Sequence, residues 1–286
     1  MSARFGAVYL NGRIIPHATA EVSILDRSVM FGDGLYETML ARQGKVFRLA
    51  EHLERMRAGM LILRMGLEPE DLNLETAVQS AIDASGFDES RVRLMVTRGM
   101  FVGSYSADKA EQPTVVVTVQ DITGALTLGS VDAIISSYRR DETSPLTRAK
   151  TLNVLPSIMA RSEAHDADAG DAIMLNMSGC VAEATSSNIF LVATGRLITP
   201  DINSGILAGV TRRAILEIAH SMNLPIEERT VRAEELETAD EIFLTSSIAG
   251  LRAVVNLNKK IVGKGECKIK DQLAEEYARL LVLEIG

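Results

Sequence analysis

Leu35–Leu49 reads LYETMLARQGKVFRL, and this stretch decides the fold class. Tyr36, Thr38 and Leu40 recur at the strand period, and Gln43-Gly44 turns the chain before a second apolar stretch. Just beyond, the period changes: Leu53, Met56, Met60 and Leu63 share one stripe of a helix predicted over Leu49–Met65. The same mixture extends both ways. Upstream, Ala7–Ile15 (AVYLNGRII) places Asn11-Gly12 between two apolar runs, a second hairpin signal. Downstream, a helix over 73–85 ends at Gly86, and strands follow at 92–97 and 114–120. Asp121–Ser130 (DITGALTLGS), rich in Gly, Ser and Thr, is the predicted linker between domains 1–120 and 131–286. Beyond it, strands at 133–137, 172–176, 188–192, 241–244 and 253–256, with another near Ile226, interleave with helices over 153–167, 209–223 and 270–283. Strict βαβ alternation is absent, so the expectation is two α+β domains rather than a doubly wound sheet.

Composition agrees with two cores: 286 residues, 47% of them hydrophobic. A net charge of -8 and a pI near 5.2 argue against nucleic acid and against an anionic membrane surface as partners. Cys180 and Cys267 are too few for a disulfide framework and read as free thiols. With no signal-peptide pattern and no apolar run long enough to span a membrane, the expected location is the cytoplasm. His17, His52, His165 and His220 show no ligand spacing, so no metal is assigned.

Lysine is scarce. Only Lys45, Lys109 and Lys150 precede residue 258. Lys150, in TRAKTLNVL (Thr147–Leu155), heads the helix-spaced run Leu152, Leu155, Ile158 and Met159. It reads either as a solvated charge at a helix start or as an amine kept for covalent chemistry. Three further features bear on the choice. Glu183 is a carboxylate among small and hydroxyl residues in CVAEATSSNIF. Gly209 with Val210-Thr211 opens a helix whose unpaired amides favour a phosphate. Arg55, in EHLERMRAG, could be a side-chain partner for that phosphate. Singly, each is also an ordinary surface or helix-boundary residue.

Their order and spacing resemble the fold-type IV (class IV) pyridoxal-phosphate enzymes, the group of branched-chain and D-amino acid aminotransferases, (R)-selective amine transaminases and aminodeoxychorismate lyase. The resemblance runs through DRSVMFGDGLYET, HLERM, AKTLNVL, VAEATSSNIFLV, SGILAGVTR and DEIFLTSS. It implies an α+β, two-domain enzyme with its pyridoxal 5'-phosphate site at the domain interface. Lys150 then forms the Schiff base with the cofactor, and Glu183 pairs with the pyridine nitrogen. Arg55, Val210, Thr211 and Ser247 hold the phosphate, and Leu207 packs on the ring.

The substrate side is mixed. Tyr36-Glu37 is as in D-amino acid transaminases, yet VTRGMFVGSYS lacks their arginine–histidine carboxylate trap. Arg93 aligns with the arginine that branched-chain enzymes use for the side-chain carboxylate of glutamate. Tyr36, Arg93, Tyr105, Ile248 and Ala249 are the expected substrate contacts. The favoured reaction is amino transfer between branched-chain L-amino acids and 2-keto acids. The alternatives are a lyase on 4-amino-4-deoxychorismate, a D-amino acid or (R)-amine transaminase, and a non-catalytic cofactor-binding protein. A homodimer is implied, with the Met100–Ser106 loop near the neighbour's site.

Overall fold

The computed structural model describes residues 4–101, 103, 105–106, 112–124 and 129–286. The chain divides into two compact units, Met1–Leu126 with Ala149–Asn153 and Leu283–Gly286, and Thr127–Arg148 with Val154–Val282. The division falls inside the predicted linker, of which residues 125–128 lie outside the described ones. The lysine segment Ala149–Asn153 counts with the first unit, although the sequence boundary assigns it to 131–286.

The first unit is a six-stranded sheet ordered β2-β1-β6-β5-β3-β4. Its strands are β1 (Val8–Leu10), β2 (Arg13–Ile15), β3 (Gly34–Arg42), β4 (Lys45–Val46), β5 (Glu89–Thr97) and β6 (Val115–Asp121). Both predicted hairpins form. Asn11-Gly12 and Gln43-Gly44 take φ of 45° and 87°, and of 47° and 80°, the left-handed pairs whose twist matches the flanking strands. Helix α1 (Arg27–Phe31) is short, while α2 (Leu49–Ile62) and α3 (Leu74–Ser85) are long and cover the sheet. The alternation read in β3 sets the faces. Leu35, Glu37 and Met39 pair with Val96, Leu94 and Val92 and share one side. All of these but Glu37 join Met56 and Met60 of α2 and Ala77, Val78 and Ala81 of α3 in a buried core. Tyr36 and Thr38, paired with Met95 and Arg93, lie on the opposite side.

The lysine segment is an added rung beside β3, not a helix start. Thr151 bridges Leu35, Leu152 N donates to Gly34 O at 3.0 Å, and Tyr36 N donates to Lys150 O at 2.9 Å. The following helix, α4 (Leu155–Asp166), begins five residues after the lysine. Its apolar stripe is not core either. Leu155, Ile158 and Met159 are 64%, 52% and 40% exposed, and the buried positions are Ala160 and Ala164.

The second unit holds a nine-stranded sheet ordered β12-β11-β10-β13-β14-β7-β8-β9, with β15 added on β14. These are β7 (Val131–Arg140), β8 (Asp171–Asn176), β9 (Val181–Ala184), β10 (Asn188–Ala193), β11 (Arg196–Pro200), β12 (Ile226–Arg229), β13 (Glu241–Ser246), β14 (Gly250–Leu257) and β15 (Lys260–Ile261). Unbroken apolar strands such as β10 and β13 are buried on both faces, and Phe190 stacks on Phe243 with ring centroids 5.1 Å apart. Helices α5 (Val210–Ser221), α6 (Glu235–Thr238) and α7 (Lys268–Ile285) complete the elements. The sequence places Glu183 just before a strand; it lies within one, β9, paired with Met174 of β8. No helix among the described residues is long and apolar enough to cross a membrane.

Candidate active site

In the first unit the site grows from β3. The main-chain bond to Tyr36 fixes the backbone of Lys150, and the half-buried amine Nζ stands 4.6 Å from the centre of the Tyr36 ring. A second cation shares that ring: the Arg93 guanidinium carbon lies 4.0 Å from its centre. Burial lowers the Arg93 pKa, partly countered by Tyr36, with Arg91 adding repulsion. The Tyr36 ring thus has two cations beside it, an arrangement suited to an anionic ligand.

The other side of β3 presents Glu37, fully buried among apolar neighbours. A lone carboxylate there would be costly, and α2 supplies its partners. Arg55 donates from Nε and Nη2 to the two oxygens at 2.8 and 2.6 Å, and His52 Nδ1 lies 2.6 Å from Oε2. Burial opposes ionisation of Glu37, but Arg55, by charge and hydrogen bond, and then His52 outweigh it and hold its pKa at about 2. The ordinary expectation for Arg55, a solvated helix face, is therefore replaced by a side chain only 10% exposed and locked to β3.

In the second unit Glu183 is the focus. It is 8% exposed and held by Arg140 Nη1 at 3.1 Å, Asn188 Nδ2 at 3.2 Å and the Leu207 amide at 3.0 Å. Asn188 Nδ2 also donates to Leu207 O at 2.9 Å, tying the carboxylate to the segment before α5. Three donors aim the Glu183 carboxylate in one direction. Gly209 caps α5, and a Cβ there would stand 1.9 Å from Asn188 Oδ1, so only glycine fits beside that amide. Val210 and Thr211 occupy the first turn, where amides have no intrahelical acceptor. The Thr211 hydroxyl is buried and has no partner among the described residues.

Ser247, Ile248 and Ala249 form the half-buried turn between β13 and β14, closed by the Ser246–Gly250 pair. The Ala249 amide donates to Ser246 Oγ at 3.3 Å. Tyr105 is 82% exposed with its ring 5.0 Å from that of Phe31; Val102 and Ser104 of its loop lie outside the described residues.

Sequence reading missed Glu37, His52, Arg140 and Asn188 as site-supporting residues. Glu37 left a signal, a carboxylate at a core parity of β3 that demands partners. Arg140 and Asn188 left none, because their roles depend on strand ends that meet only in the fold.

A phosphorylated pyridine aldehyde needs an amine, an anion cradle and a carboxylate for its ring nitrogen. The first unit by itself holds an amine, Lys150, and a guanidinium, Arg55. The second by itself holds the α5 N-terminus with the unpartnered Thr211 hydroxyl, and the carboxylate of Glu183. In kind, these residues fit the group.

Comparison with known proteins points the same way. A sequence profile described as Amino-transferase class IV matches residues 34–257. A putative branched-chain-amino-acid aminotransferase of Methanocaldococcus jannaschii is 32% identical over 94% of each chain. A D-alanine aminotransferase of Staphylococcus haemolyticus is 29% identical over 96% of this chain and 97% of its own. The crystal structure of a branched-chain aminotransferase from Thermoproteus uzoniensis with norvaline superposes with a TM-score of 0.88. It is 30% identical and covers 98% of this chain and 96% of its own.

Proposed function

We propose, on the premise that this chain belongs to the class IV aminotransferase family, that it transfers an amino group from a branched-chain L-amino acid to a 2-keto acid. Enzymes of the class use pyridoxal 5'-phosphate. When bound, that cofactor accepts the electron pair left behind as the substrate α-proton departs. The observation that carries the reading is the lysine rung: a scarce, half-buried amine whose backbone is hydrogen-bonded to β3 and whose Nζ sits over Tyr36.

With the cofactor bound, Lys150 would hold it at its aldehyde through Nζ, and the same amine would be the group to take up and return the substrate α-proton. Glu183, oriented by Arg140, Asn188 and the Leu207 amide, keeps the ring nitrogen protonated. Arg55, the amides of Val210 and Thr211, the Thr211 hydroxyl and Ser247 bind the phosphate, and Leu207 packs on the ring. The Tyr36 hydroxyl and the Ile248–Ala249 turn orient the substrate α-carboxylate, with Tyr105 at the pocket edge. Arg93 takes the second carboxylate when glutamate is the donor.

A homodimer is part of the proposal. Ile24, Val29 and Met30 in the first unit, and Leu155 and Ile158 in the second, are large apolar side chains exposed to 41% or more, as surfaces awaiting a partner are. We place the enzyme in the cytoplasm.

The test is a set of half-reactions read by the cofactor's absorbance. Leucine should convert the wild-type enzyme. Arg93→Ala should spare leucine and weaken glutamate by ~1.5–3 kcal/mol, the worth of a charge-assisted hydrogen bond. Equal losses on both reject the role of Arg93. Conversion by D-alanine but not by leucine, or pyruvate release from 4-amino-4-deoxychorismate without conversion by either, would replace the branched-chain assignment.

A further inference from the structure

His52 has no place in the chemistry above, yet it is fully buried and touches Glu37, a carboxylate that grips Arg55. Its Nε2 is buried with no hydrogen-bond partner among the described residues. An Nε2–H there would be an unmet donor, so the ring is neutral with its proton on Nδ1, directed at Glu37 Oε2 2.6 Å away. Burial, the largest influence on the ring, lowers its pKa and opposes a second positive charge. Arg55 Nη2 is 3.5 Å from the same Nδ1 and donates to the same Oε2.

The geometry is a relay of fixed directions. A carboxylate on β3 can rotate about its last torsion, and Arg55 would follow it. With Nδ1–H on Oε2 from one direction and the Arg55 fork spanning both oxygens from another, the carboxylate plane has one setting. Because α2 carries both His52 and Arg55, one turn apart, the helix supplies the clamp and the clamped group together.

We propose that His52 is a positioning residue for phosphate recognition: it fixes Glu37, and through Glu37 it holds the Arg55 guanidinium in the orientation that binds the cofactor phosphate. The proposal rests on the phosphate role assigned to Arg55. A protonated histidine would do the work less well, since it would add a charge near those of Arg55 and Lys150, both of which oppose it.

The experiment is equilibrium dialysis of the full chain stripped of cofactor, against pyridoxal 5'-phosphate and against pyridoxal, which lacks the phosphate. His52→Leu should weaken binding of the phosphorylated form about tenfold or more and leave pyridoxal within about twofold. His52→Asn, whose side-chain N–H falls where Nδ1–H stands, should restore most of the loss, which a purely space-filling role does not predict. The double variant Arg55→Ala/His52→Leu should bind no more weakly than Arg55→Ala alone. Equal weakening of both ligands by His52→Leu, no rescue by His52→Asn, or additive losses in the double variant overturns the relay while leaving Arg55 as a phosphate ligand. If Arg55→Ala itself leaves the preference for the phosphorylated form unchanged, the phosphate assignment falls, and the relay with it.

Discussion

At the scale of single residues, the chain commits one side chain to each task and surrounds it with others that remove its freedom. Lys150 has its main chain bonded to Tyr36 and its amine over that ring. Borohydride reduction of the holoenzyme should therefore fix a pyridoxyl group on Lys150, seen by peptide mass mapping. Lys150→Ala should lose turnover altogether, because nucleophile and proton carrier leave together. An adduct on Lys45 instead would refute the assignment. Glu183→Gln keeps the shape of the side chain but offers the ring nitrogen an amide and the Arg140 cation no charge. We expect cofactor to bind while turnover drops by about a hundredfold or more, roughly 3 kcal/mol. A change of only a few-fold would remove Glu183 from that position. Both residues were singled out in the sequence as candidates because their chemistry is named by their type. Their supports, Arg140, Asn188 and His52, were not, since an arginine, an asparagine and a histidine each have many ordinary uses and only three-dimensional neighbours choose among them.

Turn chemistry and period made most elements readable. Asn11-Gly12 and Gln43-Gly44 admit left-handed backbone cheaply, and the strands on either side had no other way to fold back. Strand β9 escaped notice because four residues with no alternation carry no period. The stretch after Lys150 was read as a helix over 153–167, and α4 stands there. Leu155, Ile158 and Met159 have helical spacing, but the face they form is exposed, so their spacing reports a helix without reporting a core. The junction of β10 and α5 yields a prediction of its own. A methyl at Gly209 must displace the Asn188 amide, which holds both Glu183 and the Leu207 carbonyl. Gly209→Ala should cost about 1–3 kcal/mol of stability and weaken cofactor binding as well. Thermal unfolding with and without pyridoxal 5'-phosphate would show it; an unchanged cofactor-induced shift in Tm would mean that the helix start tolerates the strain without passing it to the site.

For the molecule as a whole, the buried cluster on β3 sets a pH response. His52 is held neutral with its pKa below 6.5, so below that pH the unfolded chain takes up a proton that the folded one resists, and stability starts to fall. Glu37, lowered from 4.5 to about 2, contributes stability that is complete above 4.5 and lost between there and 2, on the order of 3 kcal/mol. Urea unfolding of the wild type should give a plateau above about pH 6.5 and a decline below it, steeper under pH 4.5. In Glu37→Gln the steep part should vanish. A wild-type profile flat down to pH 4 would contradict the burial of this cluster. The two-unit, α+β character of the chain was apparent from alternating and helical periods, whereas the return of Ala149–Asn153 to the first unit was not, because a five-residue rung has no signature apart from the strand it joins.

That rung and the Glu37 clamp leave the same strand one residue apart. Tyr36 carries the lysine on its amide, and Glu37 carries the arginine on its carboxylate. In a mechanism assembled from many parts, small errors of placement accumulate along the path that connects two working ends. Here the path from the Lys150 carbonyl to the Arg55 guanidinium runs through two hydrogen-bonded contacts and one peptide unit of β3, so little slack can build up. Distant loops can vary in length or sequence without detuning that distance. The corollary is brittleness in one place: inserting or deleting a single residue between Leu35 and Met39 turns the faces of the strand over, and gauge and both fittings are lost together.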